Sequence, residues 1–350
     1  MKKLLLATAV AALSVSAANA APTVYGKAFL TVDYQHDKTD GEDSTNNTSL
    51  NSVGSKIGFK GAEALTANTD LVYQLEYGVN VDAGSKAKST AKTVTTKKDE
   101  FVTEVVTEIT DKKQDQFYSR DTYLGLSNKQ YGTVLAGRLT AIDDMVNYAN
   151  VTAGGVIGGD DVLASFTGER ANNTVAYVSP NYSGVNFLGM YVMDENNDSD
   201  TFDHDAWGVG AKYEPAGQPF RAGITYEQAG DALKATRVSG AYDLNAATTI
   251  GALYQNTDFG GKDDKKENAY TLSGTYKTAT PWTVYGQADY VKNVAGGDGD
   301  DAQRYVVGGK YAFNAATTGH VYGAYLLDDP KGDNNNTKNY GIGTGIEYKF

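Results

Sequence analysis

The residues of this 350-residue chain best placed to do chemical work are lysines and arginines at alternate positions of extended stretches. In Val24–Tyr34, one face carries Val24, Gly26, Ala28, Leu30, Val32 and Tyr34, and the other Tyr25, Lys27, Phe29, Thr31 and Asp33. The same period of two sets Lys56, Gly58 and Lys60 against Ile57 and Phe59, and Arg170 against Val175 and Tyr177. In Arg120–Leu126 it sets Arg120 against Tyr123. Arg221, Arg237, Arg304 and Lys310 follow the same rule in later stretches. Rows of fixed charge along one face select solutes by field rather than by bond making. Covalent chemistry has little to draw on. The chain has no Cys, and its three His (His36, His204 and His320) lie far apart with no Ser/His/Asp grouping around them. Asp194–Asp198 is spaced like a calcium loop, but Ser199 stands where the turn glycine is needed. No cofactor, metal or catalytic residue is expected.

The element that must position these charges is clearest at the end of the chain, Tyr340–Phe350. Tyr340, Ile342, Thr344, Ile346, Tyr348 and Phe350 share one face, and Gly341, Gly343, Gly345, Glu347 and Lys349 the other. The length and alternation suit a tilted strand crossing a bilayer, apolar side to lipid. Such a strand needs hydrogen-bond partners on both edges, so the first mature strand is expected to pair with it and close a cylinder. A cation on the lipid side costs about 2–4 kcal/mol at the midplane, so the lysines and arginines above must face inward.

Met1–Ala20 has the form of a cleaved export signal: Lys2 and Lys3, an apolar run from Leu4 to Ala17, and Ala18-Asn19-Ala20 before the cut. Without Lys2 and Lys3 the chain holds 29 basic and 43 acidic residues, a net charge of −14, which excludes nucleic acid as a natural partner. Twenty-five Tyr and 39 Gly against six Pro fit a large antiparallel β protein. From residue 21 to 350 one unit repeats, a strand of 8–12 residues and then a connection. About sixteen such strands follow, from 24–34 to 338–350, in one domain. Short turns alternate with long polar connections, among them 37–53, 81–116 and 139–169. That asymmetry belongs to a transmembrane all-β barrel.

The motifs YGKA (Tyr25–Ala28), SKIGFKGAEAL (Ser55–Leu65), RDTYLGLS (Arg120–Ser127), LAGR (Leu135–Arg138) and RANNTVAYVSP (Arg170–Pro180) occur in strand order. Together they resemble the trimeric, sixteen-stranded general porins of Gram-negative bacteria. The resemblance implies a homotrimeric, water-filled channel in the outer membrane for passive diffusion of ions and small hydrophilic solutes. It implies a basic ladder of Lys27, Lys56, Arg120 and Arg170 on one pore wall. It also implies an inward-folded third loop, 139–169, whose acids are Asp143, Asp144, Asp160, Asp161 and Glu169. The family's PEFGG-like loop segment is replaced here by GGVIGGDDVLASF, so which acids reach the pore is left open. Arg138 points outward by parity, as a subunit-interface residue would. Glu100, Glu104 and Glu108 of the second long loop are either its partner's latch or part of that loop's own hairpin. Ile346, Tyr348 and Phe350 resemble the terminal signal read by the barrel assembly machinery, and lipid and lipopolysaccharide are the implied surroundings. The alternatives are a substrate-specific channel and a barrel enzyme or adhesin. The Asp-rich mouths lean the ion preference toward cations.

Overall fold

The computed structural model describes residues 22–81, 87–98, 101–113, 116–157, 161–194, 205–260, 265–330 and 336–350. The expected export signal lies outside them. Closure takes place where the terminal alternation predicts. β1 (Thr23–Thr39) pairs antiparallel with β19 (Thr337–Lys349) from Lys27↔Lys349 to Thr39↔Thr337. The seam is finished by Gly26, which exchanges backbone hydrogen bonds with Phe350 at 3.0 and 3.1 Å. The Phe350 ring lies so close over Gly26 that a Cβ there would come within 2.3 Å of it.

Two strands, β2 (Thr45–Ser52) and β3 (Lys56–Ala64), share the other edge of β1 and form one interrupted stave. Next come β4 (Thr69–Val79), β7 (Phe117–Asn128), β8 (Gly132–Thr140), β9 (Arg170–Val178), β10 (Val185–Val192), β11 (Ala206–Tyr213) and β12 (Phe220–Ala229). The circuit is completed by β13 (Leu233–Asp243), β14 (Thr248–Asp258), β15 (Glu267–Lys277), β16 (Trp282–Lys292), β17 (Asp301–Ala312) and β18 (Thr317–Asp329). Each neighbours the next in an antiparallel sheet of seventeen strands, which makes a closed barrel of sixteen staves. Val32, Ile224, Leu272 and Ile342 are among the apolar side chains on the outside. Tyr254, Tyr270 and Tyr290 on successive staves form part of an aromatic girdle, with ring centroids 5.1 and 6.3 Å apart.

Two expectations need correction, and one of the readings left open is met. The first long connection is not a loop through 37–53: β1 runs to Thr39, and Thr45–Ser52 returns as β2 along it. The register slips by one between β2 and β3, and the Ser55 hydroxyl fills the gap by accepting from Phe29 N at 2.9 Å. The second connection contains the hairpin that one of its two readings expected, β5 (Ala87–Lys98) with β6 (Phe101–Lys113). Glu100 and the side chains of Glu104 and Glu108 lie outside the described residues. Finally, Tyr123 faces inward, not outward. A β-bulge sets both Arg120 and Asp121 opposite Glu76, and the extra residue reverses the parity beyond it. Leu124 and Leu126 therefore take the exposed outer face, while Tyr123 packs inside against the Leu139–Ile142 cluster.

Gly137 shows how closely adjacent staves approach. Its φ is +150°, and a Cβ would come within 2.2 Å of the Thr122 carbonyl oxygen. Gly137→Val should strain the β7–β8 pairing by about 1–3 kcal/mol. The folded barrel should then lose its heat-resistant mobility on gels several degrees earlier, whereas Gly189→Ala, in open space, should leave the transition unmoved.

Candidate pore constriction

The expected ladder residues face the interior on β1, β3, β7 and β9. Lys27 lies 5.6 Å from the Phe29 ring centroid, beside the break at Gly54. Lys56 and Arg120 both reach one carboxylate, Glu76 on β4, at 2.8 and 2.7 Å. The Tyr25 hydroxyl donates to the same carboxylate at 3.0 Å, and Lys60 stands 4.9 Å above the Tyr25 ring. Arg170 pairs with Asp121 at 3.1 Å, and Thr140 donates to that same oxygen at 2.7 Å. The ladder is therefore interleaved with acids. Parity alone marks Glu76 as inward, between outward Leu75 and Tyr77. Asp121 was hidden from a sequence reading because its direction depends on the bulge.

Residues 141–157 and 161–168 lie along the inside of the other half of the barrel. The outward limb begins with the 3₁₀ turn Ile142–Val146. Ile142 and Val146 lie against Gly208 of β11 and Gly223 of β12, and Tyr148 N donates to Ser239 of β13. Further on, Val151 N donates to Gln287 of β16, Gly154 meets Tyr322 of β18, and Gly155 reaches Asp33 of β1. The returning limb retraces that path. Val156, Ile157 and Val162 are buried against wall residues including Tyr285, Val306 and Leu253, each aliphatic contributing about 1.5–3 kcal/mol by burial.

Wall charges clip the loop backbone at intervals. Arg237, 1% exposed, pairs with Asp143 at 3.0 Å and donates to the carbonyls of Asp143 and Phe166 at 3.3 Å. Arg304 is held by Asp289 at 3.0 Å and donates to the Asp161 carbonyl. Glu227 accepts from Asp143 N, Asp289 from Leu163 N, and Glu267 from the backbone and hydroxyl of Ser165. Backbone groups on a buried loop must find partners, and here wall side chains supply them.

The expected loop acids therefore divide. Asp143 does not project into the pore: it is 2% exposed, bonded to Arg237 and to Gly168 N, and anchors the loop to the wall. Asp161 ties the two limbs together by accepting from Asn147 Nδ2 at 2.8 Å. Asp160 lies outside the described residues. Asp144 is exposed on the inner segment, and Glu169 is exposed where that segment rejoins β9. The enclosing protein, then the charges of Asp143 and Asp161, raise the Asp144 carboxyl to about 6 even though its side chain meets lumen water. Arg138 is outward, donating to the Ser119 carbonyl at 3.3 Å and to Asn172 Oδ1 at 2.8 Å.

Two substitutions test this layout. Glu76→Gln keeps the shape but removes the charge that Lys56 and Arg120 share. The zero-current potential across a salt gradient should move toward anion preference. Arg237→Met leaves Asp143 and Glu227 buried without their cation, a loss of about 3–5 kcal/mol when one partner of a buried pair is removed. Single-channel records should then show a noisier open level as segment 141–168 detaches.

The comparisons with known proteins agree with this architecture. The major outer membrane protein P.IB of Neisseria gonorrhoeae is 26% identical, covering 95% of this chain and 96% of that protein. An outer membrane porin protein of Bordetella pertussis is 24% identical over 95% of this chain and 86% of its own length. Among solved structures, an anion-selective porin from Comamonas acidovorans superposes with a TM-score of 0.68 at 19% identity, covering 94% of this chain and 99% of its own. Salmonella typhi OmpF in complex with daunomycin gives 0.64 at 18%, covering 94% and 97%. OmpT of Vibrio cholerae in a trimer form gives 0.61 at 16%, covering 94% and 99%. At these identities the structural likeness speaks for the fold. The family profile carries the assignment: matched over residues 7–333, the chain belongs to the Gram-negative porin family.

Proposed function

We propose that this outer-membrane porin works as a passive, water-filled channel for ions and small hydrophilic solutes, with residues 139–169 as its constriction. The observation that carries this reading is the division of the interior. The loop is clipped by hydrogen bonds to the β12–β17 wall, while Lys27, Lys56, Arg120 and Arg170 stand on β1, β3, β7 and β9, outside that stretch. A barrel of this strand number encloses an aqueous lumen, and facing charges of opposite sign across its narrowest part sort dipolar and charged solutes. No catalytic role is assigned to these residues. We place the mature protein, after removal of residues 1–20, in the outer membrane as a homotrimer amid lipid and lipopolysaccharide. Arg138 stands at the subunit interface, and the Ile346–Tyr348–Phe350 end is its handle for the barrel assembly machinery.

On ion preference, Glu76 and Asp121 pair with three of the four ladder cations and cancel two of their charges, and Asp144 and Glu169 add negative charge on the loop side. These charges balance, so the Asp-rich mouths and the acidic excess of the whole chain tip the balance to a mild preference for cations. Purified protein in a planar bilayer should give stepwise conductance in threes and a cation-selective zero-current potential. A silent bilayer from folded protein would sink the diffusion reading. Because Asp144 titrates near 6, it is ionised above that pH and neutral below it. Cation preference should therefore weaken between about pH 7.5 and about pH 5, and Asp144→Asn should flatten that change.

A further inference from the structure

Among the described residues, four tyrosines of the inner wall share one device: each lies over a glycine that is its cross-strand partner. The pairs are Tyr25–Gly58, Tyr118–Gly78, Tyr285–Gly308 and Tyr322–Gly343. A Cβ added to these glycines would come within 2.4, 2.1, 2.3 and 2.3 Å of a ring carbon, so the ring needs glycine beneath it. Three of the four rings have a second neighbour. Lys60 stands 4.9 Å over Tyr25 and Lys310 5.0 Å over Tyr285. Gly154 of the inner segment packs on Tyr322, whose hydroxyl donates to Asp33.

Tyr118 is the exception. It stands near the start of β7, one inward position from Arg120 on the side of the long connection 81–116. From a Cβ added to Gly78, its Cζ, Cε2 and Cε1 atoms would stand at 2.1, 2.4 and 2.5 Å, so the ring turns its face, not its edge, to the glycine. Gly78 is buried, while Tyr118 is 40% exposed. Among the described residues no ring or cation lies over it, and its hydroxyl has no hydrogen-bond partner. A ring bedded in this way is held before any solute arrives, so binding does not have to order it.

The surroundings narrow the occupant. A π face attracts either a cation or a second ring in offset stacking. The nearest inward carboxylate on the adjoining stave, Glu76, is already shared by Lys56 and Arg120 at 2.8 and 2.7 Å. It offers an incoming cation no counter-ion, which leaves stacking. We propose that Tyr118 is a platform for the flat aromatic ring of a small solute, at the approach to the ladder from the long connections. The inference rests on the porin reading and deepens it.

The test is planar-bilayer conductance in potassium chloride with nicotinamide, a neutral flat ring, against acetamide, which has the amide without the ring. Nicotinamide should reduce the current saturably, and acetamide should not. Tyr118→Leu should raise the half-blocking concentration about threefold to tenfold, as loss of an aromatic pair does, whereas Tyr118→Phe should stay within about twofold of the parent. Gly78→Ala, whose methyl group would lift the ring from its bed, should weaken the block as well. It keeps the test valid if Tyr118→Leu fails to assemble. A current indifferent to nicotinamide, equal block by the two amides, or variants that titrate like the parent would overturn the platform while leaving the porin intact. A protein forming no channel in chloride alone would overturn both.

Discussion

A chain that crosses hydrocarbon without helices must pair every backbone N–H and C=O inside itself. Here that constraint is met at one seam, where the terminal strand Thr337–Lys349 lies against Thr23–Thr39 and Phe350 locks onto Gly26. With the sheet closed there is no free edge, and alternation along each stave becomes a partition of space. Val32, Leu272 and Ile342 go to lipid, and Lys27, Glu76, Arg237 and Arg304 to the interior. The seam also juxtaposes residues more than three hundred positions apart, and the Lys27–Lys349 pair exists only because of it.

The interior is organised by a second requirement, that a loop brought inside must have its polar backbone satisfied. Its apolar residues, Ile142, Val146, Val156 and Val162, give it a reason to leave water, but they do not choose its path. Arg237, Gln255, Glu267, Asp289 and Arg304, on five successive staves, do so by bonding its carbonyls and amides. Pairs such as Arg237–Asp143 are nearly solvent-free, so their net contribution to stability is small while their effect on uniqueness is large: any other loop path strands a buried charge. The exposed charge of Asp144 on one side and the partly neutralised ladder on the other are what a passing solute meets.

The barrel was legible in the sequence because its signal is local. A period of two, a polar turn and an aromatic end can be read without knowing any partner, and they placed Lys27, Lys56, Arg120, Arg170, Arg237 and Arg304 inward. Reading only the cations left Glu76 unnoticed, although the same alternation points it inward. Other features were not there to be read. Tyr123 and Asp121 take their directions from a bulge that exists only because Arg120 and Asp121 both oppose Glu76 on the neighbouring stave. Thr45–Ser52 has no apolar alternation of its own, and it is a strand because Leu30–Asp37 of β1 lies alongside to receive it. Asp143 and Asp144 are adjacent identical residues in one short turn, and only the position of Arg237 separates wall anchor from lumen charge.

The sequence by itself determined the class of fold, its closure and, wherever a strand is regular, the face on which it carries its charges, because side-chain direction in a regular strand follows from position alone. The tertiary structure decided which charges cancel, which acids vanish into the wall and where the terminal Lys349 meets Lys27. Those outcomes depend on register between staves and on the docking of a loop across many of them, and neither is written in any single stretch of chain.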